Sequence, residues 1–364
     1  MLGLACGARS TTSRCHFQSE TSIAELGREG ADFVAVARVG DGGIALWSGA
    51  SGLFARPIDN RGVPTGDAAR ILSRCEGGLD AAEYGERILV ACQHGGDEHS
   101  VELLSLTTAL RTRQLAHWPT ETDAGRGISV AASPEVIAVF WSNGIRGHEK
   151  IWVGRVQGSN VVPPDTLVTT LESAIEPDAL FHAGALTVTW AEMHAEGSAQ
   201  HSGNVVLYDG HGAPTVVSPV HCVSPSPQLV ADSLGLIVSF RDVRAPDPRA
   251  GLFLVRDKNH EAPARVARAN AIGAQSMSRC TRGLFAAAPR TFRDDALVGV
   301  SRISPGLERI GGEVQIYQTQ SDLALVDTAC APDGLLALFA DEAHERTRVP
   351  SLRSTRLVCD EDAN

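Results

Sequence analysis

Lysine is almost missing from this 364-residue chain: Lys150 and Lys258 are the only two, and arginine supplies the rest of the 32 basic residues. Against 43 acidic residues they leave a formal net charge of -11. Non-specific nucleic-acid binding needs a basic surface that displaces counterions from phosphate, so this balance excludes it. Tyrosine (3) and tryptophan (5) are scarce as well, which disfavours a lectin with an aromatic sugar platform in every unit. No stretch approaches the roughly 18–20 apolar residues of a spanning helix. There is no CxxC pair and no histidine at zinc-ligand spacing from a cysteine, so no zinc module is expected. A Gly-x-Ser-x-Gly elbow and a Gly-rich phosphate loop opening a helix are also missing. No cofactor is expected.

What the chain does have is 36 Gly, 18 Pro, 43% hydrophobic residues and a mean hydropathy of -0.03, a globular composition. Its apolar residues recur in seven short runs: Ile44–Trp47, Leu89–Cys92, Ile137–Trp141, Leu186–Trp190, Leu236–Phe240, Leu284–Ala288 and Leu335–Phe339. Their last residues are spaced by 45, 49, 49, 50, 48 and 51. Short β-prone runs bounded by Gly-containing polar segments read as buried strands.

A weaker strand precedes each run, as in Phe33–Val39, and a third follows, as in Leu53–Asp59. A fourth comes after turns that carry Pro, such as Gly62-Val63-Pro64 and Gly212-Ala213-Pro214. No segment sustains a 3.6-residue apolar period, so an α-solenoid fails. Four antiparallel strands per repeat of about 50 residues predict an all-β chain, a seven-bladed β-propeller.

The seventh unit has only three strands before the sequence ends. An open ring would expose a strand edge, so the segment from Arg14 to Glu25 is expected to supply the fourth, beside Arg353–Asp360. That pairing brings Cys15 next to Cys359 and predicts a disulfide across the closure, stabilising by a few kcal/mol. Cys75 and Cys92 form the second expected pair; the remaining cysteines cannot be paired from sequence. Residues 14–364 are then a single propeller, and residues 1–13 a trimmed signal or tail. Leu4-Ala5-Cys6-Gly7 resembles the end of a bacterial lipoprotein signal, which makes Cys6 the candidate lipidation site and the only expected link to a membrane. Dispersed cysteines and this start predict an extracytoplasmic protein, in the periplasm, on the outer membrane or secreted.

The stretch from Trp47 through Ala55-Arg56-Pro57 to the Asp59-x-x-Gly62-x-Pro64 turn resembles the repeat of large secreted bacterial propeller proteins. The resemblance implies fold and location, since those proteins are mostly without an assigned reaction.

Function in such a fold is expected on the face that gathers the loops between second and third strands. Those loops are polar here: 93–100, 142–150, 191–203, 241–249, 289–295 and 341–353, with blade 1 contributing only 48–51. Glu192, His194, Arg241, Arg244, Arg290, Arg293 and Asp341 are the candidate ligand- or partner-binding residues. No catalytic residue and no metal ligand is assigned; His194, His201 and Glu192, or His94 and His99, have no recognised ligand spacing. The reading is a monomeric, non-catalytic propeller that binds a protein or surface ligand through this face. The alternative is a sialidase-like glycoside hydrolase or lyase on an acidic glycan, with Arg241 and Arg290 anchoring a carboxylate. Against a sialidase, Asp41-Gly42-Gly43 misses the Asp-box spacing before Trp47 by one residue.

Overall fold

The structure is a computed structural model. It describes residues 15–359, apart from 27–29, 96–98, 122–126, 168–172, 194–201, 219–221, 224, 244–249, 257–261, 268–271, 274, 293–294, 320–322 and 342–349. Among the described residues every regular element is a strand. They form seven antiparallel sheets, spanning residues 33–72, 78–119, 128–166, 173–216, 228–267, 276–319 and 326–359. In each, strands follow one another in chain order, so each apolar run pairs with the strand before it and the strand after it. The first strands of successive blades touch in a circuit that ends with Val326–Ala331 against Phe33–Val39. First strands therefore surround the axis and fourth strands form the rim. A short parallel pair, Ile272–Gly273 with Leu323–Ala324, is extra to the blades.

The seventh blade is completed from the other end of the chain. Cys15–Phe17 pairs antiparallel with Ser351–Cys359, in the register Cys15↔Cys359, and Thr21–Glu25 continues along the same strand. The Cys15–Cys359 and Cys75–Cys92 disulfides are both present. A third joins Cys280 to Cys330, the ends of the first strands of blades 6 and 7. Cys222 is a buried thiol, and Cys6 lies outside the described residues. Three disulfides fit folding in an oxidising compartment outside the cytoplasm.

The hydrophobic core is divided into layers between adjacent blades. Trp118 and Ala116 of blade 2 meet Trp141 and Val139 of blade 3, and Phe140 and Val153 of blade 3 meet Trp190 and Val188 of blade 4. Two glycines permit close approaches between blades. A Cβ at Gly154 would meet the Trp118 ring at 2.6 Å, and one at Gly62, whose φ is +82°, would meet Leu336 of blade 7 at 2.6 Å. Gly62 sits in the Asp-x-x-Gly-x-Pro turn, where Asp59 Oδ1 accepts the N–H groups of Arg61 and Val63.

Polar side chains stitch the inner strands together. They occupy one position per blade, Asp80, Ser129, Asp178, Gln228, Ser276 and Asp327, with apolar Ala35 at the same place in blade 1, spaced by the same 45, 49, 49, 50, 48 and 51 residues as the apolar runs. Most of them bond the first strand of the next blade. Asp80 accepts the Val130 N–H at 2.7 Å, Ser129 that of Ala179 at 3.1 Å and Asp178 that of Leu229 at 2.5 Å. Ser276 accepts the Thr328 N–H at 2.9 Å, and Asp327 closes the ring on Val36 at 2.8 Å. First strands of different blades do not pair as a sheet, so these side chains satisfy backbone donors that have no ladder partner.

Candidate functional site

Blade 2 turns one face of its sheet toward blade 1. Along its second strand, Arg87–His94, the alternate residues Ile88, Val90 and Cys92 join Leu53 and Ala55 of blade 1 in a common core. The next residue on that face is His94. Its neighbours on the third strand, Ser100–Leu106, are Ser100 and Glu102, and His117 of the fourth strand, Thr112–Pro119, lies directly opposite Glu102. The face thus changes from apolar to ionisable as it reaches the loop side of the ring.

The linker from blade 1 is fastened over this patch. Cys75 is bonded to Cys92, two residues before His94, the Gly77 N–H donates to the Gln93 carbonyl, and Glu76 accepts the Gly95 N–H at 3.2 Å. Arg74, exposed and next to the disulfide, is thereby fixed near the histidines. The far end of the loop is held by the Thr120 N–H, which donates to the His99 carbonyl at 2.9 Å.

Together these residues line an open cavity of about 780 Å³ that includes Arg74, His94, His99, Glu102, His117 and Thr120. Glu102 stands 3.8 Å from His94 and 3.6 Å from His117. Such separations are Coulombic contacts rather than hydrogen bonds. His94, above all, and His117 hold the Glu102 carboxyl below its usual range, against a smaller opposing effect of burial. Glu102 is therefore an anion that orients imidazoles, not a proton donor. Nε2 of His94 and Nδ1 of His99 are buried without a hydrogen-bond partner among the described residues. Among the described residues no group of three or more His, Cys, Asp or Glu is arranged to hold a metal ion.

The residues expected to bind from loops stand differently. Glu192, Arg241, Arg290 and Asp341 belong to second strands, Ala185–Met193, Gly235–Asp242, Gly283–Phe292 and Gly334–Asp341, because those strands run on past the apolar residues that mark them in sequence. They lie on four different blades. Glu192 Oε1 accepts the indole N–H of Trp190 at 3.4 Å. Arg241 is only 2% exposed and donates to Ser226 Oγ at 2.9 Å. Loss of solvent pulls its guanidinium down to about 10, with Glu176 opposing. His194, Arg244 and Arg293 lie outside the described residues. Trp141 and Trp190 are interior, as inter-blade packing requires, and Trp47 at 7% exposure nearly so.

Of the residues that line the cavity, His94 and His99 were visible in sequence as loop-side polar residues. Glu102, His117 and Arg74 were not singled out. The available signal was the period-two pattern Ile88, Val90, Cys92, His94, which places His94 on the buried face of its strand.

In class, the molecule is a seven-bladed β-propeller closed by its N-terminal strand, with a histidine-lined cavity between its first two blades. No protein-family model and no curated protein matches the chain. Solved structures share the architecture. A polysaccharide lyase, an ulvan lyase bound to -[GlcA(1-4)Rha3S]-, superposes with a TM-score of 0.57 at 9% identity, over 92% of this chain and 95% of its own. A candidate 6-phosphogluconolactonase from Bacteroides uniformis gives 0.52 at 13% identity, over 83% and 92%. At such identities the likeness is one of fold.

Proposed function

We propose that this propeller works outside the cytoplasm and binds an anionic saccharide in the cavity between blades 1 and 2. One observation carries the reading: two buried imidazole nitrogens, His94 Nε2 and His99 Nδ1, have no hydrogen-bond partner among the described residues, Glu102 standing off at 3.8 Å from the first, and both histidines line one open cavity. A buried polar atom left unpaired costs about 1–3 kcal/mol, so a hydroxyl- or carboxylate-bearing ligand that pairs both gains that difference. Among the described residues that line the cavity, Arg74 and three imidazoles face one carboxylate, Glu102, which biases this part of the site toward an anionic group. The volume, about 780 Å³, falls in the range of small-molecule sites. With a net charge of -11, the surface as a whole does not draw polyanions from a distance, so recognition rests on short-range contacts. The ulvan lyase of similar fold also has an anionic glycan as its ligand, but the support here comes from the cavity. Three disulfides support export, and acylation of Cys6 would tether the exported chain to a membrane surface.

A second reading, β-elimination on a uronate, is favoured by the same unpartnered nitrogens beside a guanidinium. An imidazole would take the C5 proton next to the carboxylate while Arg74 neutralised the enolate that develops. Collapse of the enolate breaks the C4–O glycosidic bond, forms the C4–C5 double bond and releases the leaving oxygen, which takes a proton from a second imidazole or from water. Isothermal titration with oligogalacturonides tests binding, and the ultraviolet absorbance of unsaturated uronate products tests elimination. Saturable binding that Arg74→Ala weakens about tenfold or more is expected. No binding by the wild type, or wild-type affinity in Arg74→Ala, overturns the proposal.

A further inference from the structure

A second cavity, of about 410 Å³, lies on the other side of blade 1, against the closing strand Thr21–Glu25. Its wall is a ladder across one face of the blade. Trp47 pairs with Phe54 and Phe54 with Arg70, and the two rings stack at 5.6 Å and 13°. Trp47 is covered, whereas Phe54 is half-buried and Arg70 exposed. Arg56, in the same wall, is held by the carbonyls of Ile23 and Gly66, and Glu25 stands opposite on the closing strand. The site therefore offers an aromatic surface beside guanidinium groups.

Only blade 1 separates this cavity from the one that holds Arg74. Its second and third strands are joined by the tight turn Gly49–Gly52, with Gly49 and Ser51 themselves lining the smaller cavity. The other blades have longer segments there. The fourth strand, Ala69–Leu72, puts Arg70 in one cavity and leads within four residues to Arg74 in the other. Four residues of extended chain span at most about 14 Å.

We propose that the two cavities are subsites of one trough over the tip of blade 1, which takes an extended uronate-bearing oligosaccharide. One sugar ring stacks on Phe54 with its carboxylate on Arg70, and further units reach the histidine cavity. This rests on the function proposed above and extends it to a chain-length preference.

The test is isothermal titration of wild type and variants with a disaccharide and a hexasaccharide of galacturonate, each variant first checked for a cooperative melt. The wild type should bind the hexasaccharide at least about tenfold more tightly, the gain expected from a second linked subsite. Arg70→Ala and Phe54→Leu should remove that gain and leave disaccharide affinity unchanged. A four-residue Gly/Ser insertion between Ala50 and Ser51, which raises a wall between the cavities, should do the same. Arg74→Ala should weaken both ligands. If Arg70→Ala keeps the full chain-length gain while Arg74→Ala weakens both, the trough is wrong and the histidine site stands. If the wild type binds neither ligand, both fall. Should Phe54→Leu or the insertion fail to fold, Arg70→Ala decides alone, because that side chain is exposed.

Discussion

The carboxylate of Asp80 is held between opposing influences. Its hydrogen bond from Val130 favours the charged form, but enclosure by protein and the charges of Asp178 and Asp327 favour the neutral one and push it up to about 7. Asp178 is raised to about 6, chiefly by burial, and Asp327 is raised for the same reason. The unfolded chain ionises these groups near 4. Between that pH and the folded values the native state holds more protons, so stability is fully present at low pH and declines as pH rises toward neutrality. Asp80→Asn retains an amide oxygen for the Val130 N–H and has no charge. It is expected to melt higher than wild type at about pH 8, by an equivalent of about 1–2 kcal/mol because solvent still partly reaches the side chain, and to lose that advantage near pH 4. Thermal melts across this range check it; a lower melt at about pH 8 would show that the charged hydrogen bond outweighs the repulsion. The three aspartates were legible in principle, since they recur at the blade spacing. They went unread because a single polar residue in a weak strand looks like ordinary surface, and only the next blade's unpaired N–H gives it a purpose.

Strands set how far a side chain's sequence neighbourhood predicts its surroundings. Glu192 and Arg241 look like loop residues because the β-prone apolar run stops before them. In the fold the ladder continues, as Glu192↔Asn204 and Arg241↔Leu252 show, and Arg241 is drawn inside. The same extension places His94 and Glu102 on the face of blade 2 that is clamped by Cys75–Cys92. That disulfide closes a short loop, with a sequence separation of 17, and stabilises by about 3 kcal/mol in the chain-entropy model. Its second effect is to hold Arg74 over the histidines. Replacing both cysteines by serine is expected to lower the melting temperature and also to weaken oligogalacturonide binding at a temperature where the variant is still fully folded. Titration there separates the effects: undiminished affinity would mean that the linker needs no clamp to place Arg74. Gly154 makes a purely structural comparison within the same pair of blades. Gly154→Ala drives a methyl group into the Trp118 ring and should destabilise by about 1–3 kcal/mol in denaturant titrations, without changing ligand affinity.

At the scale of the whole ring, periodicity made the fold legible, because every blade repeats one solution to burying two sheet faces. The closure was legible because a propeller cannot leave its last sheet short of a strand without exposing an edge. Cys280–Cys330 went unassigned, although its separation of 50 is within one residue of the 51 that relates blades 6 and 7; nearly equivalent positions in neighbouring blades are close in space. The Cys15–Cys359 disulfide, within blade 7, and Cys280–Cys330, between blades 6 and 7, then differ in what they restrain. One joins neighbouring repeats, whereas the other spans a separation of 344 and holds a terminal strand that has no covalent neighbour on its blade. Backbone pairing, the Arg353–Glu20 ion pair at 2.9 Å and the Thr355 hydroxyl donating to the Gln18 carbonyl all lie within this same closure. Releasing residues 15–25 would therefore remove them together. Cys15→Ser with Cys359→Ser should lower stability by about 3–5 kcal/mol and make amide exchange of residues 351–359 faster than that of the central strands of blades 2 and 3. Serine at Cys280 and Cys330 should cost less and leave exchange in the closing blade unchanged. Hydrogen exchange resolved by residue separates these outcomes, and equal protection of the seventh blade in both double variants would mean that strand pairing alone closes the ring.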